Sequence, residues 1–197
     1  TYVPGAVKGV IYKGKIWQFT TEPYSIPIAG VGATADSSYD TSSLASKTVD
    51  GSGLDADTDT HGTTASDMWI SGMTAFPHWI QYSFDKVYKL DQMAVWNSNQ
   101  TLEGLFGLSA KNVLVQVSTD GANWTDLGNF VFTRAPGATT CAADTKIPFN
   151  GVAAKYVKLT INSTYGGFLS QGSLSEVRFY AIPVAARTPS PADKAAN

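Results

Sequence analysis

The side chains able to do chemistry in this 197-residue chain are few. There are two histidines, His61 and His78, and one cysteine, Cys141. No GxSxG, HExxH, phosphate-loop or dinucleotide-binding pattern occurs, and the lone cysteine reads as a thiol in a turn. A glycosidase would need two opposed carboxyl groups in a cleft, which a small all-strand domain rarely offers. The chain therefore reads as something other than an enzyme. Acidic residues gather early, with Asp50 before Gly51, then Asp55, Asp57, Asp59 and His61 at alternate positions, then Asp67; Glu176 stands far downstream. Amide and aromatic groups gather in two further stretches, Asn97, Asn99, Gln100, Glu103 and Phe106 in one, Tyr165, Phe168 and Gln171 in the other.

These groups must be positioned by a fold with ample apolar material and little charge. Hydrophobic residues make up 43% and aromatics 12%, while charged residues at 15% fall well below the roughly 25% of average soluble chains. The surface thus leans on Ser, Thr, Asn and Gly. A formal charge of −2 and the absence of any Lys/Arg run argue against a nucleic-acid partner. One cysteine permits no intrachain disulfide, so packing, hydrogen bonds or a metal must hold the fold. No apolar run approaches the ~18 residues needed to cross a bilayer.

The periodicity is that of strands. Trp79 to Phe84 and Leu90 to Trp96 are aromatic- and β-branched-rich runs divided by Asp85-Lys86, which reads as a turn. Val113, Val115 and Val117 alternate with Leu114, Gln116 and Ser118 before the hairpin signal Asp120-Gly121. Phe130, Phe132, Ile147 and Phe149 mark further strands, Val157, Leu159 and Ile161 alternate with polar neighbours, and Val177 to Ile182 closes the set. About eight short strands at this spacing predict an all-β antiparallel β-sandwich of jelly-roll type. Gly9 to Thr21 reads as two strands that cannot bury their own apolar face, and 184–197 as a Pro- and Ala-rich linker.

Six phrases carry a family resemblance: KTVDGS (Lys47 to Ser52), DMW (Asp67 to Trp69), PHWIQYSFD (Pro77 to Asp85), VQVSTDGANWTDLG (Val115 to Gly128), AKYVKLTI (Ala154 to Ile161) and LSEVRFY (Leu174 to Tyr180). In this order the chain from about Ile28 to Pro183 resembles the discoidin domain, also called the factor V/VIII C-type domain, and carbohydrate-binding module family 32. The domain division that follows is 25–183 for the module. Residues 1–24 resemble the last strands of a fibronectin type III-like repeat, and 184–197 the start of another.

The resemblance implies one structural calcium where the first loop meets the last strand. Its ligands would be the Lys47, Ser52 and Ser175 carbonyls, the Asp50 and Glu176 carboxylates, and Asp67, two residues before Trp69. An all-oxygen set of this kind suits Ca²⁺. The alternative for Asp50 is an ordinary turn cap with Gly51. Asp67 stands where the family commonly has Thr, and the loop 53–66 is longer than the family's. That loop opens like an EF-hand but has Thr60 in place of the turn Gly and Ser66 in place of the bidentate Glu. It reads either as a solvated acidic loop or as a second calcium site or ligand contact involving His61.

The resemblance also implies that sugar is met by variable loops at one rim, through an aromatic plate and a few polar groups. Asn97, Asn99, Tyr165, Phe168 and His61 are the candidates, with Gly166 and Gly167 leaving room for close approach. Leu102, Leu105 and Leu169 read as packing beneath the loops, and Trp69, Trp79 and Trp124 as core; Trp96 could face either way, and His78 reads as ordinary. The function implied is a secreted or cell-surface glycan-binding module that tethers a larger protein to polysaccharide. The alternative is an adhesion or assembly subunit that self-associates through its N-terminal strands. A membrane partner would require basic surrounds that the loops lack. Asn99, Asn123 and Asn162 each begin an N-x-Ser/Thr glycosylation pattern.

Overall fold

The structure, a computed structural model, describes residues 24–183; the strand pair expected at Gly9 to Thr21 and the tail 184–197 lie outside the described residues. Eleven strands occur in it: β1 (Ile26–Pro27), β2 (Gly32–Ala35), β3 (Leu54–Asp55), β4 (Thr60–His61), β5 (Trp69–Ile70), β6 (His78–Asn97), β7 (Ala110–Ser118), β8 (Thr125–Val131), β9 (Thr145–Pro148), β10 (Ala153–Thr164) and β11 (Ser173–Ala181). One helical turn, α1 (Glu103–Phe106), follows β6, and short 3-10 turns lie at Ala45–Thr48 and Ala65–Asp67. No helix among the described residues is long and apolar enough to cross a membrane.

The fold is an antiparallel β-sandwich, and β6 belongs to both of its sheets. Its first half pairs with β10 and β2, and its second half with β11 and β9. The first sheet continues from β10 to β7 and β8, while β1 and β5 add to β11 in the second. The turn expected at Asp85-Lys86 is absent, because the strand runs through it. Ser83 pairs with Tyr156 and Tyr88 with Ala154, so four residues of β6 face the single Lys155 in a bulge. That excess length bends the strand across the corner. With the two halves of β6 taken separately, the strands of four residues or more number eight.

Alternation decides which side chains enter the core. Along β6 His78, Ile80, Tyr82 and Phe84 are buried, whereas Trp79 points outward and is 37% exposed. Val113, Val115 and Val117 on β7 and Val157, Leu159 and Ile161 on β10 complete one inner face. The other presents Val177 and Phe179, with the Phe179 ring 5.1 Å from Tyr82 and 5.2 Å from Phe84. Trp69 is fully buried as expected, but Trp79 and Trp124 are not core residues. Trp124 is half-buried beside the Asp120-Gly121 turn, with the Lys158 ammonium 4.3 Å above its ring. The turn itself forms as its sequence dictates: Gly121 has φ +78°, and Asp120 Oδ1 accepts from the Ala122 and Asn123 N–H groups.

The two tryptophans give a direct check on this packing. Trp69→Ala should lower the free energy of unfolding by about 3–5 kcal/mol, and Trp79→Ala by under about 1.5 kcal/mol. Urea denaturation of both variants reads the difference; equal losses would contradict the assigned faces.

Candidate functional site

The loops at the end of the sandwich where β6 terminates carry little regular structure beyond α1, so side chains must satisfy their backbone. Asn97 and Asn99 do most of this. Asn97 Nδ2 donates to the Ala110 and Thr133 carbonyls at 2.8 Å each, and its Oδ1 accepts from the Ser98 and Ala110 N–H groups. Asn99 Nδ2 donates to the His61, Gly62 and Ala138 carbonyls, and its Oδ1 accepts from the Gly137 and Ala138 N–H groups. Both residues are buried. Neither amide has an atom left for a ligand, which corrects their reading as sugar contacts and removes Asn99 as a glycosylation acceptor.

Glu103 serves the same loop from α1. Its two carboxylate oxygens accept from the Leu108 and Ser109 N–H groups at 3.1 Å each, and Arg134 Nη2 donates to its carbonyl at 2.6 Å. Burial pushes its carboxyl upward in spite of these donors. Backbone contact then joins this loop to the next: the Gly166 N–H donates to the Gly107 carbonyl at 2.8 Å. A Cβ on Gly166 would fall 1.8 Å from the Phe106 carbonyl oxygen, so the close approach that this glycine permits is between loops.

Tyr165 is likewise tied inward, its hydroxyl donating to the Phe132 carbonyl at 2.7 Å while Lys111 and Arg134 flank its ring. His61 is fully buried; its Nδ1 donates to the Gly62 carbonyl at 2.9 Å, and its Nε2 has no partner. Phe168 differs. It is 61% exposed, with its ring centroid 6.3 Å from that of Phe106. Leu102, at the N-cap of α1, and Leu105, on it, are also exposed rather than packed beneath the loop.

These loops enclose a pocket of about 260 Å³. Tyr39 and Asp40 form one wall, Met73, Phe106 and Leu169 line it, and Gln100 and Gln171 supply amides. Tyr39 is 55% exposed. Asp40 Oδ1 accepts from the Ser42 N–H, the Ser42 hydroxyl and the Ser43 N–H, and these bonds hold its carboxyl below the usual range. Gln171 Nε2 donates to the Ser71 carbonyl at 3.0 Å, whereas Gln100 Nε2 has no partner although it is shielded from water. Tyr39 and Asp40 escape the sequence reading because SSYDTSS looks like any polar loop. The available signal is one aromatic ring set among serines beside an acid.

A second cluster forms where the loop 47–52 meets β11. Glu176 is 4% exposed; one carboxylate oxygen lies 4.0 Å from Arg178 Nε, and the other, Oε2, is buried without a hydrogen-bond partner. Burial pushes its carboxyl up to about 8, opposed by a hydrogen bond from the Gly51 N–H and by Arg178, and reinforced by Asp50 and Asp59. Asp50 Oδ1 accepts from the Ser52 N–H at 2.8 Å, a turn cap, while its Oδ2 stands 3.7 Å from Lys47 Nζ, which also donates to Ser52 Oγ. Ser175 is the extra residue of a bulge between Leu174 and Glu176, which lifts it out of the strand ladder. Asp67 ends a 3-10 turn and approaches His61 across Gly53, where a Cβ would lie 3.0 Å from the Asp67 Cβ.

The acidic insertion is an ordered hairpin of β3 and β4 rather than a loose loop. Asp55 Oδ1 caps the Asp57 and Thr58 N–H groups, and Asp59 Oδ1 meets Arg178 Nη1 at 2.6 Å. The Asp59 carbonyl accepts from Trp96 Nε1, so the hairpin covers Trp96 on the outer side of the second sheet. Cys141 backs the hairpin through its carbonyl, and burial pushes its thiol up to about 12, far from a nucleophile's range.

The sandwich is similar to several solved carbohydrate-binding modules. The module CBM32-3 from a family 31 glycoside hydrolase of Clostridium perfringens matches at TM-score 0.60 and 21% identity, over 80% of this chain and 95% of that one. The family 32 module of C. perfringens NanJ, solved with galactose, matches at 0.58 and 17% over 79% and 98%. A mutant of chitosan-binding module 1 from a Paenibacillus sp. IK-5 chitosanase/glucanase matches at 0.53 and 24% over 77% and 95%. No curated protein matches the sequence. The F5/8 type C domain model matches residues 32–173, which include β2, both halves of β6 and the start of β11, and the chain belongs to that family.

Proposed function

We propose that this domain is a non-catalytic glycan-binding module whose sugar sits against Tyr39, Phe106 and Phe168. The observation that carries the reading is the pocket lined by Tyr39 and Phe106, with the exposed Phe168 ring 6.3 Å from that of Phe106, where aromatic carbon lies beside the Asp40 carboxylate and the Gln100 side chain. An aromatic face suits the apolar face of a pyranose, and a carboxylate with a side-chain amide beside it suits its hydroxyls. At about 260 Å³ the pocket falls below the ~300–1,000 Å³ of drug-sized sites, which suits one sugar ring. Its lining holds one carboxylate, Asp40, and no Lys, Arg or His, which favours neutral or amino sugars over uronic and sialic acids. The sugar-bound and enzyme-attached modules of similar fold support the same class. In this reading the domain tethers a larger secreted or surface protein to polysaccharide, and repetition raises the avidity of a weak single site.

Calcium belongs to the same proposal. The Glu176 cluster fits a hard cation: Oε2 is buried and unpartnered, Asp50 lies beside it, and the Ser175 bulge frees backbone for coordination. Among the described residues no three His, Cys, Asp or Glu side chains converge as a metal cluster, so such a site draws on the carbonyls of Lys47, Ser52 and Ser175. A bound cation would pin the early loop to the last strand and offset the cost of the buried carboxylate.

Two experiments test these readings. In calorimetric titration with neutral hexoses and hexosamines, Tyr39→Ala should weaken binding about tenfold or more with little change in stability. Asn99→Ala should instead cost about 2–4 kcal/mol of stability, through stranded backbone groups. Binding that survives Tyr39→Ala unchanged would count against the pocket.

For the metal, calcium should raise the melting temperature of the wild type and leave Glu176→Gln unchanged. Without metal, the folded protein keeps a proton on Glu176 up to about 8, whereas the unfolded chain releases it near 4.5. Stability of the metal-free form therefore falls as pH rises through that window, and calcium binding tightens with pH as it displaces the proton. Melting curves indifferent to chelation would contradict the metal.

A further inference from the structure

His78 is fully buried and belongs neither to the pocket lining nor to the Glu176 cluster. Its ring nevertheless joins the two loops that wall the pocket. Nδ1 lies 2.9 Å from Asp36 Oδ2, on the segment that leads from β2 to Tyr39 and Asp40. Nε2 lies 3.1 Å from the Ser170 carbonyl, between Leu169 and Gln171. Asp36 is itself fixed by the Trp79 N–H, which donates to its Oδ1 at 3.2 Å.

Both groups that face the imidazole are acceptors. A neutral ring has one N–H, so it can bond to one of them while its lone pair opposes the other; the doubly protonated ring donates to both. A carboxylate is a stronger acceptor than a carbonyl, so the neutral ring keeps Asp36 and lets Ser170 go. Asp36 is the one charged group within ion-pairing distance among the described residues. The other neighbours are apolar: the Phe76 ring packs edge-on at 5.1 Å, and Ile161 is the cross-strand partner on β10.

We propose that His78 is a positioning residue for the sugar pocket, anchored by Asp36 at Nδ1 and holding the Leu169–Gln171 wall by donating from Nε2 to the Ser170 carbonyl. This rests on the glycan reading above.

The test is calorimetric titration of a panel of methyl glycosides of neutral hexoses and N-acetylhexosamines into wild type, His78→Leu and His78→Gln. Loss of one loop hydrogen bond should weaken binding by His78→Leu about fivefold to tenfold, and His78→Gln, whose amide can still donate toward Ser170, should recover part of that loss. An affinity of His78→Leu equal to wild type, or the same loss in both variants, overturns the proposal. Absence of binding by any member of the panel refutes the glycan reading instead. The positioning role is then decided in the ligand-free protein: Ser170 and Gln171 amide resonances displaced in His78→Leu more than in His78→Gln support it, and unmoved ones overturn it.

Discussion

Buried backbone groups without hydrogen bonds are too costly to keep, and the loop end of this molecule is organised around that constraint. A sandwich satisfies its own backbone through its ladders; the segments between the strands do not. Here Asn97, Asn99, Glu103 and Gln171 turn inward and supply the missing donors and acceptors, reaching loops far apart in sequence. The result is a pocket whose walls are set by polar side chains turned toward the backbone of their own loops. Tyr39 stays exposed at the pocket, and Phe106 lines it with the exposed Phe168 ring beside it, because other residues have taken over the positioning.

The same logic separates the two polar clusters. At the pocket the orphaned group is a neutral amide nitrogen, Gln100 Nε2, near a carboxylate that is well supplied with donors. At the junction of the early loop and β11 the orphan is a carboxylate oxygen with two further acidic groups nearby, opposed by Arg178, the Gly51 N–H and the Lys47 beside Asp50. The first is a neutral donor, the second an acidic cluster whose charge is only partly offset. The hairpin of β3 and β4 shields the second cluster, because Asp59 clips Arg178 and covers Trp96.

Much of the fold is legible in the sequence where the signal is local. The valine alternation of β7, that of β10, and the Asp120-Gly121 turn need only their own residues to be read. The course of β6 is not local: Asp85-Lys86 has the composition of a turn, and only the bulge opposite Lys155 makes it a corner inside one strand. Trp79 and Trp124 occupy familiar phrases, yet strand parity and turn position place them outside the core. The site is harder still. A polar side chain in a loop can face a ligand or its own backbone, and residue type alone does not distinguish the two, so Asn97 and Asn99 read as contacts while Tyr39 goes unnoticed. The meeting of Asp50 with Glu176 is legible through the family resemblance alone, because no local pattern joins residues so remote.

The central claim is that sugar is recognised at this pocket. It is tested most directly by mapping amide and side-chain resonances of the isotope-labelled protein during titration with neutral hexoses and hexosamines. The account predicts saturable shifts concentrated at Tyr39, Gln100, Phe106 and Gln171, with the strands of both sheets undisturbed. Shifts centred elsewhere, on the outward face around Trp79 for example, would contradict it.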